Sequence, residues 1–193
     1  IVTLGIHPDR PETGYGYIKT KEKIKETNDR QIYSVDCFVE KPGIEKAVEY
    51  VDSGDYFWNS GMFCFTVKTI LDSLKKHVPF IYGQLEEISK FIGTENELKK
   101  ISKHYQKIKD EKQNISIDYA VMEKEAQGII LVKAEEDLEW NDIGGWTALK
   151  RYFDPDGNGN RKKGEASFVD SKNCFFIDYN GIKGKIIRLE KYY

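Results

Sequence analysis

The chain has 193 residues, 39% hydrophobic and 32% charged, with 30 Lys plus Arg against 32 Asp plus Glu. This is ordinary composition for a soluble globular protein with enough apolar side chains for a core. A near-neutral balance gives no support to a nucleic-acid or acidic-membrane partner, and no apolar run approaches the roughly 18 residues of a membrane helix.

Ile1 to Ile6 reads as a buried strand. No initiator Met, signal peptide or turn precedes it, so a missing upstream segment is expected. The run at 186–190 likewise reads as a strand in mid-structure. After a loop through His7, Pro8, Pro11 and Gly14, Tyr15 to Thr20 reads as a second strand and Ile32 to Glu40 as a third, ended by Lys41-Pro42-Gly43. Residues 44–53 carry Ile44, Ala47, Val48 and Val51 at helical spacing, with Gly54 as the C-terminal glycine. Ser60 to Val67 is expected as a strand. A helical block follows from about 67 to 111, with apolar faces at Ile70, Leu71 and Leu74, then Ile81, Leu85, Ile88 and Ile92, then Leu98, Ile101, Tyr105 and Ile108.

Ser116 to Glu123 reads as a short helix capped by Ser116, Gly128 to Val132 as a strand, and Asp142 to Phe153 as a helix entered through Gly144 and Gly145. Residues 154–164 are rich in Asp, Gly and Asn and read as a linker. Short strands are expected at 166–170, 174–178 and 185–190, with Asn180-Gly181 as a hairpin-type turn. Strands interleaved with helices imply an α/β domain with a mixed sheet, in which ligands bind where strands end. Cys37, Cys64 and Cys174 are odd in number and far apart, which favours a reducing cytoplasm over a disulfide framework or zinc ribbon. Cys37 and Cys64 read as buried thiols, and His7, His77 and His104 share no metal-ligand spacing.

Five segments place glycine or polar residues at strand ends. Thr13-Gly14-Tyr15-Gly16 is either a tight turn or a mouth where backbone approaches a ligand. In Phe38-Val39-Glu40-Lys41-Pro42, alternation separates Glu40 from Lys41 unless the chain twists at the proline. The lysine would then suit a phosphate, while the competing reading is a solvated pair. Trp58-Asn59-Ser60-Gly61 offers amide and hydroxyl to sugar hydroxyls, or makes an Asx turn. Asp118 either sits at a helix start or faces a pocket. Asp142, ahead of two glycines, is either a Mg²⁺ carboxylate or a helix N-cap.

In order and spacing these segments, TGYGYI, FVEKP, WNSGMF, SIDYAVMEK and WNDIGGWTAL, resemble the mannose-1-phosphate guanylyltransferases, or GDP-mannose pyrophosphorylases, of the sugar-1-phosphate nucleotidyltransferase family. The resemblance spans about residues 1–153. It implies a Rossmann-like nucleotidyltransferase domain with its N-terminal part missing, a linker at 154–164, and from 165 to 193 the start of a β-rich domain such as a left-handed β-helix. It implies transfer of a nucleotidyl group from GTP to mannose 1-phosphate, giving GDP-mannose and pyrophosphate.

Carried over, Tyr15, Gly16, Glu40, Lys41, Asn59, Ser60, Gly61 and Asp118 form the substrate site. Lys41 takes the sugar phosphate, and Asp142 is one of two carboxylates on magnesium, with Lys41 and Asp142 as the catalytic pair. The family's glycine-rich triphosphate loop and its first metal aspartate have no counterpart in this chain, so the piece alone is expected to be inactive. A homodimer is one candidate assembly. The alternatives are a glucose-1-phosphate enzyme of the same family and a non-catalytic sugar-phosphate-binding paralogue.

Overall fold

The computed structural model describes residues 1–27, 30–135, 138 and 140–189. They group into two compact units, Ile1–Glu139 and Trp140–Tyr193.

The first unit is built on five strands: β1 (Val2–Ile6), β2 (Tyr17–Thr27), β3 (Arg30–Val39), β4 (Tyr56–Cys64) and β5 (Ile130–Lys133). They close into a barrel in the order β1-β4-β2-β3-β5. Every pair is antiparallel except β1 with β5, which is parallel. The pairing is thus mixed, as expected, but the sheet is closed. The main hydrophobic cluster holds Ile18, Val35, Phe38, Phe57 and Leu131 from the strands, joined by Ala120, Val121, Met122, Ala126 and Ile129 from the segment before β5.

β2 runs seven residues beyond the expected Thr20, through exposed Lys and Glu residues. Pairing with β3 carries it, Lys23 opposite Tyr33 and Thr27 opposite Arg30, so partnership rather than an apolar face makes this arm a strand. β4 begins at Tyr56, not Ser60, and stops at Cys64. The chain turns there because Thr66 Oγ1 accepts the Thr69 N–H at 3.1 Å and starts a helix, so Val67 opens a helix and does not end a strand.

Six helices were expected before the linker, and five of them fall in this unit. α1 (Ile44–Ser53) has the expected bounds, and Gly54 closes it at φ 72°, with its N–H on Val51 O. Of its apolar stripe Ala47 is buried, whereas Ile44 and Val48 are exposed. The helical block resolves into α2 (Val67–His77), α3 (Pro79–Ser89) and α4 (Glu97–Asp110). Ile70 and Leu74 pack on the core. Ile92 lies beyond α3, and Leu98 and Tyr105 are exposed on α4, whose buried apolar residue is Ile108. Cys64 is exposed and Cys37 half-buried, so the buried-thiol reading fails for Cys64, which sits at the strand's end.

In the second unit, α5 covers Trp146–Leu149 and a 3₁₀ turn Lys150–Tyr152. The helix expected from Asp142 starts four residues later because two consecutive glycines make helix entry entropically costly. Within the stretch read as a linker, the Asp156 carboxylate accepts N–H bonds from Asn158 (2.8 Å) and Asn160 (2.9 Å), and Arg161–Lys163 forms β6. β6 pairs in parallel with β8 (Phe175–Ile177), and β7 (Ala166–Val169) in parallel with β9 (Gly184–Ile187). Asn180-Gly181 does turn, with Gly181 at φ 75°. It makes no hairpin, because β8 and β9 each pair with an earlier strand. Asn160 is buried and bridges two neighbouring segments, donating to Ser171 O (3.0 Å) and accepting from Cys174 N–H (3.0 Å). Among the described residues no helix is long and apolar enough to cross a membrane.

Candidate functional site

The site grows out of strand register. β2 lies between β3 and β4, and Tyr17 pairs with both Val39 and Trp58. One position earlier on β2's side and one later on its partners, Gly16 is flanked by Glu40 and Asn59. Asn59 N–H donates to Gly16 O at 2.7 Å, and Lys41 N–H to Tyr15 O at 3.2 Å. Side chains directly opposite on neighbouring strands share a face, so Glu40, Gly16 and Asn59 form one row with a gap in the middle. A methyl at Gly16 would meet Glu40 Oε2 at 2.5 Å and Asn59 Cβ at 3.2 Å. The missing side chain is what leaves room for the Glu40 carboxylate.

Regular alternation would send Lys41 away from Glu40. The chain departs from it at Lys41, whose φ of 46° is left-handed. That turn brings Lys41 Nζ to 3.1 Å from Glu40 Oε1. The Glu40 side chain is 8% exposed and that of Lys41 58%, so the carboxylate is sunk and the ammonium stands at the mouth. Burial pushes the Glu40 carboxyl above its ordinary 4.5, the hydrogen bond from Lys41 opposes this, and the charges of Asp118 and Glu123 add to the rise. Glu40 in turn holds the Lys41 ammonium above its ordinary 10.5.

Asn59 is fixed at both ends of its amide. Gly61 N–H, which can only donate, points to Asn59 Oδ1 at 3.0 Å, and Asn59 Nδ2 donates to Asp118 Oδ1 at 3.2 Å. The first bond assigns the amide orientation. The Asx turn expected of this segment is therefore present, and the same amide also reaches Asp118. The same turn makes a bulge in β4. Thr3 pairs with Phe63 but Gly5 with Asn59, and Gly61 adopts φ 73°. Ser60 Oγ is engaged in the bulge, accepting Met62 N–H at 3.2 Å.

Asp118 opens a single π-helical turn, Asp118–Met122, closed by Glu123 N–H on Asp118 O at 2.9 Å. Ser116 does not cap it with its side chain; its carbonyl accepts Ala120 N–H at 2.9 Å. The expected helix is therefore wider than an α-helix and is anchored by buried Ala120, Val121 and Met122. Trp58, beside Asn59, is buried. It carries the Tyr15 ring edge-on at 5.1 Å and the Arg10 guanidinium at 5.0 Å. Its indole N–H has no acceptor among the described residues, at a cost of about 1–3 kcal/mol.

Tyr15, Gly16, Glu40, Lys41, Asn59 and Asp118 thus meet in the first unit, with Ser60 and Gly61 in the adjoining bulge. Sequence reasoning missed Glu123, whose Oε1 accepts Glu40 N–H at 2.9 Å. It lies inside the quoted segment, but an α-helical reading turns it away from Asp118. Asp142 lies in the second unit, is exposed, and precedes α5 by four residues, so it is not that helix's N-cap. Its carboxylate is open to solvent, and a Cβ on Gly144 would stand at an ordinary 3.6 Å from its Oδ2. Among the described residues no three His, Cys, Asp or Glu side chains gather as a metal cage. A lone open carboxylate fits a magnesium ion that takes its other ligands from phosphates and water.

A sunken carboxylate, an oriented amide and a projecting ammonium at the strand ends of a mixed α/β sheet suit a sugar bearing a phosphate. The chain belongs to the nucleotidyl transferase family, whose sequence model matches residues 1–156. It is 36% identical to a mannose-1-phosphate guanylyltransferase of Salmonella typhimurium over 94% of this chain and 37% of that protein. To one of Escherichia coli it is 39% identical, over 91% of this chain and 36% of that protein. The chain therefore spans little more than a third of the length of these relatives. A crystal structure from Thermus thermophilus, described as a mannose-1-phosphate geranyltransferase, superposes with a TM-score of 0.71 at 32% identity, covering 98% of this chain and 51% of that one.

Proposed function

We propose that the protein carrying this chain transfers a guanylyl group from GTP to mannose 1-phosphate, giving GDP-mannose and pyrophosphate, and that this chain supplies the sugar-phosphate site. The observation that carries the reading is the Glu40–Gly16–Asn59 row with Lys41 turned onto the same side. The relatives named above supply the sugar and the nucleotide.

In this reading the Glu40 carboxylate accepts from sugar hydroxyls, and the free N–H of the Asn59 amide donates to one. An ammonium has three donors. Lys41 uses one on Glu40 and offers the others to the phosphate. Two anions must meet as a phosphate oxygen of the sugar attacks the α-phosphorus, and fixed positive charge with in-line placement lowers that barrier. Asp142 would hold the magnesium, which when bound neutralises charge on the phosphates. No side chain needs to form a covalent intermediate.

We place the nucleotidyltransferase domain at 1–153, a connecting stretch at 154–164 and a β-rich domain from 165. The family match to residue 156 supports the first boundary. The parallel β6–β8 and β7–β9 pairs support a β-helix, since strands one coil apart pair in this way.

The test is pyrophosphate release by the full-length protein with Mg²⁺, crossing mannose 1-phosphate and glucose 1-phosphate against GTP, ATP, UTP and dTTP. Preference for GTP with mannose 1-phosphate is expected. Preference for another pair would overturn the assigned substrates, and no release from a folded protein would overturn catalysis.

A further inference from the structure

We infer that Glu123 is a positioning residue for the Glu40–Lys41 turn, acting as the acceptor that fixes the backbone on which both substrate-binding side chains ride. The inference rests on the function proposed above and goes beyond it in naming what holds the site in shape.

β3 ends at Val39, so the Glu40 N–H lies past the strand ladder and needs a partner elsewhere. That partner is Glu123 Oε1 at 2.9 Å, from a segment 83 residues further along the chain. The next N–H, that of Lys41, is held by Tyr15 O at 3.2 Å. Between these two ties Lys41 sits at φ 46°. A non-glycine residue occupies that region only when its surroundings impose it. With the Glu123 tie gone, one restraint remains on a strained turn, and relaxation toward an extended backbone would carry Lys41 Nζ away from Glu40.

The π turn explains how Glu123 reaches the site. Residues five apart on an α-helix point about 140° apart. An i→i+5 turn takes up one more residue per turn, so its first residue and the one after its last come to the same side. Asp118 and Glu123 are that pair, bonded N–H to O at 2.9 Å. One faces Asn59 and the other Glu40. A single turn therefore steadies both arms of the row that flanks Gly16. Glu123 makes no hydrogen bond to the Glu40 carboxylate or Lys41 Nζ among the described residues; its charge adds to the rise of the Glu40 carboxyl, and its tie to the turn is the main-chain bond.

The experiment measures the Kd of mannose 1-phosphate by calorimetry, with KM, kcat and thermal unfolding, in the full-length protein. Glu123→Gln keeps an acceptor oxygen at the same reach and is expected to bind within about threefold of wild type. Glu123→Ala removes the acceptor and is expected to weaken binding and raise KM about tenfold or more, with a smaller change in kcat. Glu123→Asp keeps the charge, shortens the reach and is expected to follow Ala. Asp also stands in for Ala if the Ala variant does not fold. Wild-type affinity in folded Glu123→Ala or Glu123→Asp would overturn the inference. So would a loss in Glu123→Gln equal to that in Ala. Lys41→Ala separates the two levels. If it binds as wild type, the proposed site fails; if it weakens binding while Glu123→Ala or Asp does not, the positioning role alone fails.

Discussion

Gly16→Ala tests the row directly. Gly16 does not adopt a left-handed φ, so alanine is conformationally allowed there and space alone decides the outcome. Its new Cβ would stand 2.5 Å from Glu40 Oε2, 3.2 Å from Asn59 Cβ and 3.5 Å from Phe38 Cε1. The last two contacts are tight or ordinary, and the first is impossible. Glu40 must swing away, giving up its approach to Lys41 and its place in the row. For stability, overpacking costs about 1–3 kcal/mol, and the lower chain entropy of unfolded alanine returns about 0.4–1 kcal/mol. The net is a modest loss of about 0–2.6 kcal/mol.

For binding, each hydrogen bond from a sugar hydroxyl to the carboxylate is worth about 1.5–3 kcal/mol, or about ten- to a hundredfold in Kd. The assay is calorimetric titration with mannose 1-phosphate on wild type, Gly16→Ala, Glu40→Ala and the double variant. If the methyl acts by evicting Glu40, adding it to Glu40→Ala should cost less than about threefold, because the two changes share one mechanism. Full additivity, or wild-type affinity in Gly16→Ala, would refute the reasoning.

Glu40→Gln is expected to melt higher than wild type near neutral pH, though it weakens substrate binding. The folded-state pKa of Glu40 lies above 4.5, so the folded state binds the proton more tightly. Stability then falls as pH rises through that window, stays reduced above it, and matches the variant below it; melts at about pH 4 and 7.5 check the sign. Thiol alkylation of the folded protein should label exposed Cys64 first, with Cys174 reacting only on unfolding, since its Sγ is buried against Lys172 O and Leu189 O. Mass spectrometry of the labelled peptides reads the order.

The parts of the fold written in local pattern were legible. α1 emerged with its bounds because Pro42-Gly43 and Gly54 punctuate a clean helical spacing. The polar half of β2 was not, because Lys21 to Thr27 become a strand through pairing with β3 and carry no apolar alternation of their own. β4 was framed too late for the same reason. Trp58-Asn59-Ser60 looks like a turn, and a turn is there, but it is a bulge inside a strand whose pairing with Gly16 lies more than forty residues away. The candidate side chains could be named one by one. Their arrangement as a row could not, since it depends on two long-range registers. The hairpin expected at Asn180-Gly181 failed in the same way, as the local turn is real and the pairing is not.

Glu123 shows why one site residue stayed hidden. A π turn has no sequence signature comparable to an N-cap or a C-terminal glycine, and its hydrogen bonds are no better than those of an α-helix. Something outside the turn must select it. Val121 and Met122 are fully buried in the hydrophobic core of the first unit, with Ala120 nearly so. Burying such side chains is worth about 1.5–3 kcal/mol for each large one, enough to choose between helical registers of similar backbone energy. An α-helical continuation would rotate this apolar set relative to Asp118 and Glu123, so keeping the core filled would turn one carboxylate out of the site. The wider turn satisfies both demands. The core of the first unit therefore does more than hold the barrel together. It sets the register that lets one short segment orient Asn59 from its first residue and Glu40 from the residue after its last.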